Sequence, residues 1–283
     1  IAIGHQALEA EDVSAGNVAI GYQALKVQNT NNSNNVAVGY QAALNLNGGT
    51  DSVYVGYLAG GVGVITGSYN TVVGKSAGSA LLGGASNVLV GFGAGTAMTT
   101  GTYNVVIGHN AADVMVGASS HNIAIGTNAL GGETSGADDC IAIGTNALLT
   151  QSDALAKNIG IGSGAGQLIT DGTANVLIGK DAGSKIADDD YNTAVGYNAL
   201  KLVNAANNTA FGYLAGAEVD TGTDNAIFGA YAMANADSGE ADNTAIGVAV
   251  LYNLDDDDSD GNVALGYSAG RWDAAGTTDG SDG

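Results

Sequence analysis

Glycine returns at one phase from end to end of this chain, and that rhythm constrains the fold more than any other feature. The residues are Gly4, Gly21, Gly39, Gly56, Gly74, Gly91, Gly108, Gly126, Gly144, Gly162, Gly179, Gly196, Gly212, Gly229, Gly247 and Gly266. Their spacing never falls below 16 or exceeds 19 residues and averages about 17.5. A period so short and steady belongs to a solenoid or fibre, in which each unit touches mainly its neighbours. Such an array grows by stacking, so the chain reads as one continuous repeat domain, 1–283, and not as two globular domains. Because Ile1-Ala2-Ile3-Gly4 already lies inside a copy, the sequence reads as an excerpt of a longer array.

Around the glycine, other columns keep phase. The third residue before it is Val, Ile or Thr in fifteen of sixteen copies, Ala226 being the exception, and the residue just before it is always apolar, as in Ile3, Ile20, Phe211 and Leu265. Side chains alternate along an extended segment and β-branched residues favour a pleated strand, which predicts a short strand whose inward face is aliphatic. Between these two lies a mostly apolar residue such as Ala19, Tyr54, Leu89 or Gly160, expected to face outward and to be covered by another copy of the chain. The glycine itself signals a positive φ or a close approach that a Cβ would block. Ala follows three residues later in fifteen copies, then Leu, Gly, Ala or Met. A second apolar patch, at Val64, Leu81, Met98, Val114, Leu168, Ile186, Val203 and Val219, predicts a second, less regular strand.

Four residues before the glycine stands Asn in thirteen copies: Asn17, Asn35, Asn70, Asn87, Asn104, Asn122, Asn158, Asn175, Asn192, Asn208, Asn225, Asn243 and Asn262. Ser52 and Cys140 replace it elsewhere. Amides stacked coil above coil can each donate to the next, so this column is expected to form a structural ladder. Sixteen coils at about 4.8 Å each predict a rod on the order of 75 Å long.

The unit Asn-Val-Ala-Ile-Gly-x-x-Ala (Asn17 to Ala24) resembles the head repeats of trimeric autotransporter adhesins, the YadA-like head family. The run Asn192 to Leu200 likewise resembles the repeats of phage tail fibres, and the similarity covers essentially the whole chain. The resemblance implies an all-β parallel β-roll or β-solenoid of about 16 coils, left-handed and homotrimeric. It implies an adhesive extracellular fibre on a cell surface or virion, with a phage tail-fibre shaft as the alternative. Its partners would be its own copies, as a trimer or an end-to-end filament, and a glycan or protein receptor on a host surface or matrix. The coil of 17 to 18 residues and the acidic loops depart from the adhesin head. Trimerisation has a separate motive: one coil offers few large inward side chains to offset about 1–2 kcal/mol of backbone ordering per residue.

Composition narrows the remaining classes. A net charge of −21 with seven Lys+Arg argues against nucleic-acid binding, which needs a basic face, and against an anionic membrane surface. No apolar run approaches the length that spans a bilayer. Cys140 is the only cysteine, so no intrachain disulfide forms. With 45% apolar residues and fixed apolar columns, the chain reads as folded despite 46 glycines.

Chemistry-bearing patterns are few. Asp256, Asp258, Asp260 and Gly261 match the first, third, fifth and sixth positions of a calcium loop, but Tyr267 stands where such a loop ends in Glu, so a solvated loop is the commoner reading and no cofactor is required. Tyr22, Tyr40, Tyr57, Tyr197, Tyr213, Tyr267 and Phe92 directly follow a motif glycine and are expected to stack at an exposed or interchain surface; His5 and His109 share that column. Gly74-Lys75-Ser76 ends like a phosphate loop, yet Tyr69 occupies its first glycine position. No nucleophile with a partnering base emerges, so an enzyme is not expected. A β-helix polysaccharide-processing enzyme would need converging charged groups, and an ice-binding solenoid a regular Thr face, whereas phased threonines are limited to Thr71, Thr193, Thr209 and Thr244, expected inward.

Overall fold

A computed structural model describes residues 1–11, 15–28, 33–132, 136–153, 156–236, 239–254 and 260–271. The fold is an all-β parallel solenoid, with no helix among the described residues. Each of the 16 motif glycines follows a short strand. The chain divides into two compact units, Ile1–Ala142 and Ile143–Gly283.

In the first unit the strands Ala2–Ile3, Val18–Ile20, Val36–Val38, Val53–Val55, Thr71–Val73, Val88–Val90, Val105–Ile107 and Ile123–Ile125 form one parallel ladder in unbroken register. Like-numbered positions face each other across every pair, for example Val18 with Val36 and Ala19 with Ala37. A second parallel sheet of four strands, Ala10–Glu11, Val27–Gln28, Asn45–Leu46 and Val64–Ile65, runs along the first coils. The second unit repeats the main ladder through Ile159–Ile161, Val176–Ile178, Thr193–Val195, Thr209–Phe211, Ala226–Phe228, Thr244–Ile246 and Val263–Leu265.

The strand's inside and outside are the reverse of the expectation from β-branched content. The middle residue, such as Ala19, Ala37, Val72, Leu89, Ala194 or Ile227, is fully buried, while its two β-branched neighbours are half-buried and turned outward. Thr71, Thr193, Thr209 and Thr244 are therefore outward too. The physical reason is room: the coil interior also holds the buried alanine after the glycine and a large side chain from its far wall, leaving space for one strand side chain per coil.

That interior packs by trading size between two positions, the middle strand residue and the fourth residue after the glycine. Ala19 faces Leu25, Ala124 faces Leu130 and Ala194 faces Leu200, whereas Tyr54, Leu89 and Leu177 are matched by Gly60, Gly95 and Gly183. A Cβ on Gly60 would stand 2.7 Å from the Tyr54 ring, and one on Gly183 2.6 Å from Leu177. The far wall is filled seven residues after the glycine, by Leu46, Leu81, Met98, Met115, Ile169, Ile186, Val203 and Val219. Val64, Val114 and Leu168 instead point outward beside buried Ile65, Met115 and Ile169, and the second strand forms only in the first coils.

The motif glycine needs both properties expected of it. Gly56 has φ +135° and Gly212 +145°, and a Cβ there would sit 2.6 and 2.5 Å from the carbonyl oxygen of the next glycine. Beyond it the chain turns through left-handed residues two and four places on, such as Gln23 (φ 55°) and Leu25 (φ 47°). A leucine is held there because its side chain fills the core.

Candidate interaction surface

The inward-turned asparagines form a continuous hydrogen-bonded column within each unit. The Asn35 N–H donates to Asn17 Oδ1 (2.8 Å), Asn87 to Asn70 (3.0 Å), Asn104 to Asn87 (3.0 Å) and Asn122 to Asn104 (3.0 Å). In the second unit Asn175 donates to Asn158 (2.8 Å), Asn192 to Asn175 (2.8 Å), Asn208 to Asn192 (2.9 Å), Asn225 to Asn208 (3.1 Å), Asn243 to Asn225 (3.0 Å) and Asn262 to Asn243 (2.9 Å). Ser52 keeps the chain of bonds, accepting from the Asn70 N–H through Oγ (3.0 Å), and the buried Cys140 N–H donates to Asn122 Oδ1 (2.9 Å).

Most carboxamide nitrogens also reach a loop carbonyl: Asn70 to Gly84 (2.8 Å), Asn104 to Ser119 (2.8 Å), Asn208 to Gly222 (2.8 Å). These side chains are buried and committed to the backbone, so they clamp the loops and present nothing to a ligand. Asn192 Nδ2 has no partner among the described residues. It sits in the shortest repeat, 16 residues from Gly196 to Gly212, where the Ala206 carbonyl is taken by Asn208 (3.3 Å).

A second ladder escaped the sequence reading. Side-chain oxygens six residues before the glycine accept the backbone N–H of the preceding coil: Ser68 from Thr50 (3.0 Å), Ser120 from Thr102 (3.1 Å), Asp138 from Ser120 (2.6 Å) and Asp190 from Thr173 (2.6 Å). The recurring Ser, Thr or Asp at this place was its signal. Asp260 belongs to it, accepting from Ala241 N–H (2.8 Å). Of the calcium-loop candidates, Asp256 and Asp258 lie outside the described residues, and Asp260 has this backbone partner instead. No group of three His, Cys, Asp or Glu is placed to hold a metal ion among the described residues.

Outward, the side chains align in columns as strictly as inward ones. In the first unit the residue after the glycine builds a stack of rings: His5 on Tyr22 (5.3 Å, 9°), Tyr22 on Tyr40 (5.1 Å, 10°) and Tyr40 on Tyr57 (5.2 Å, 11°). The Lys75 ammonium sits 5.9 Å from the Tyr57 ring centre and 5.5 Å from that of Phe92, which stacks on His109 (5.1 Å). Beside it, Gln23 donates to Gln6 (2.6 Å) and Gln41 to Gln23 (2.7 Å). In the second unit the stack is short, with Lys180 over Tyr197 (5.4 Å) and Tyr197 on Tyr213 (5.4 Å), and Phe211 stacks on Phe228 (5.2 Å) among the outward strand residues.

Parallel stacking spends ring faces on neighbouring rings, so a bound sugar has no face to lie on in this column, while ring edges remain exposed. What this surface can do chemically is pack against another flat, ordered apolar surface. Three groups have shifted titrations of physical interest. Burial pushes the Tyr54 hydroxyl up to about 12; Ser52 and Asn70 pull it back, though neither makes a bond of good geometry with it. Desolvation, then the Asp188 and Asp190 charges, raise the Asp189 carboxyl, and the hydrogen bond from Lys180 to Asp181 (2.6 Å) raises that lysine. No helix is long and apolar enough to cross a membrane among the described residues. No protein-family model, curated protein or solved structure matches the chain.

Proposed function

We propose that this chain is a structural and adhesive module of an extracellular fibre, on a cell surface or a virion, assembled as a homotrimer through its outward strand face. The observation that carries the reading is the reversal of the strand: two columns of Val, Ile and Phe, flanked by ring edges, remain uncovered along each ladder. An uncovered apolar surface that extends coil after coil marks an association site. A second copy offers the matching periodicity, because its rungs repeat at the same spacing. The same module fits a bacterial adhesin or a phage tail-fibre shaft.

Ile107 and Ile178, outward and 37% and 36% exposed, are the places to test it. Sedimentation equilibrium is expected to give three times the 27.7 kDa chain mass for the wild type. Ile107→Glu combined with Ile178→Glu should sediment as smaller species with an unchanged β circular-dichroism spectrum. A folded wild-type monomer at every concentration would refute the assembly.

A further inference from the structure

We propose that the first unit carries a slot for one neutral pyranose ring, between Tyr69 and Tyr103 and above Ser86. All three stand five residues before a motif glycine, on an outward column in which every described residue of that unit has a left-handed backbone, with φ of 62°, 59° and 59° here. Asn or Asp tolerates that conformation and holds this place at Asn34, Asp51 and Asp139. A bulky aromatic gains nothing from it. Yet Tyr69 and Tyr103 sit there 64% and 60% exposed, burying little to offset the strain. Two strained, solvent-facing rings one position apart on a column call for a role other than packing.

The rungs follow in order, Ser86 N–H donating to Ser68 (2.9 Å) and Tyr103 N–H to Ala85 (3.1 Å). Tyr103 lies face to face with His121 on the next rung (5.2 Å, 14°), so its ring plane crosses the stacking direction and its other face is turned toward the Ser86 rung. On the far side of Ser86 no ring stacks on Tyr69 among the described residues. Two rung spacings set the rings about 9–10 Å apart. A flat aromatic touching both would fill only about 7 Å at contact distances of about 3.5 Å. A puckered saturated ring with axial hydrogens comes closer to filling the gap, and its polarised C–H bonds suit the negative ring faces. The Ser86 hydroxyl and the phenol groups are then placed for the sugar's own hydroxyls. Asp51 and Asp139 on the same column, with a net charge of −21, disfavour an anionic sugar.

The slot belongs to a single chain and does not rest on trimerisation. Tyr191 supplies the internal control: equally strained (φ 60°) and 62% exposed, it has only Ala174 and Asn207 on the adjoining rungs. The experiment is saturation-transfer difference NMR on the full chain with the methyl glycosides of glucose, galactose and mannose, and N-acetylneuraminate as the anionic comparison. Transfer to ring C–H protons of at least one neutral glycoside is expected, at least fivefold weaker in Tyr69→Ala and in Tyr103→Ala and unchanged in Tyr191→Ala. Ser86→Tyr, which fills the slot with a third ring, should abolish it while circular dichroism stays native. No transfer from any neutral glycoside, or transfer that survives Ser86→Tyr, overturns the proposal. Sedimentation of the same samples separates the two readings: tyrosine variants that dissociate an assembled wild type make the rings subunit contacts and overturn the slot, whereas a sugar-binding monomer supports the slot and refutes the trimer.

Discussion

The units 1–142 and 143–283 bury the same columns and decorate their outsides differently. Ala24 and Ala199 fill the same inward place, as do Leu25 and Leu200, and Asn104 and Asn208 bond the same way. Outside, the first unit sets His5, Tyr22, Tyr40 and Tyr57 in one unbroken stack, while the second offers Thr145, Ser163, Lys180, Tyr197, Tyr213, Ala230 and Val248 at that place. Loops that expose Val62, Val64, Leu82 and Val116 in the first unit carry Asp153, Asp171, Asp188 and Asp220 in the second. Inward positions are constrained by backbone hydrogen bonds and a narrow core, so they repeat. Outward positions meet only solvent or a partner, so they are free to differ, and binding chemistry belongs there.

If the inward half is truly common, damage to it should cost the same in both units. Gly56→Ala and Gly212→Ala each drive a Cβ into a carbonyl at positive φ, and thermal unfolding by circular dichroism should show a loss of roughly 3 kcal/mol or more for either. Tolerance in one unit alone would break the equivalence. The size trade is the next largest effect. Leu89→Ala should cost about 2–4 kcal/mol, and adding Gly95→Leu should recover a large part, recreating the Ala19 and Leu25 arrangement. A double-mutant cycle with coupling below about 0.5 kcal/mol would show that the two places do not share one space.

The ladder sharpens the contrast. Asn104→Ser removes bonds from Nδ2 to Asn87 and Ser119 but keeps an acceptor, whereas Asn192→Ser removes no Nδ2 bond. Urea titration should therefore find Asn104→Ser the more destabilising by about 1–2 kcal/mol. Smallest near neutrality are the titration effects. Tyr54 binds its proton more tightly folded than unfolded, so its contribution is complete below pH 10 and lost as pH rises toward about 12. Tyr54→Phe should flatten the stability profile across that window in the first unit. Asp189, also raised, acts at the acid end: stability gained as pH falls through its folded pKa toward 3.8 should be smaller in Asp189→Asn, measured by melting temperature against pH.

Much of this was legible in the residues. Phase, strand, glycine geometry, the buried alanine and the asparagine column all follow from identities that recur every 16 to 19 residues. The strand's facing did not, because alternation carries no phase when both sets are apolar. One clue was present: Asn four places before the glycine and the residue two before it share parity, so an inward ladder places Ala19 and Leu89 inside. The second ladder was hidden among ordinary turn residues, since Ser, Thr and Asp suit loops whatever they bond.

By itself the sequence determined that the chain stacks, where each coil turns, and which positions repeat, because a periodic pattern of glycine and β-branched residues admits few other packings. Tertiary structure alone decided which face is buried, how Tyr54 trades volume with Gly60, and that Tyr69 and Tyr103 stand on either side of Ser86. These depend on the width of the interior and on which residues fall on neighbouring rungs, quantities set by contacts between residues about 17 positions apart and not by any local preference.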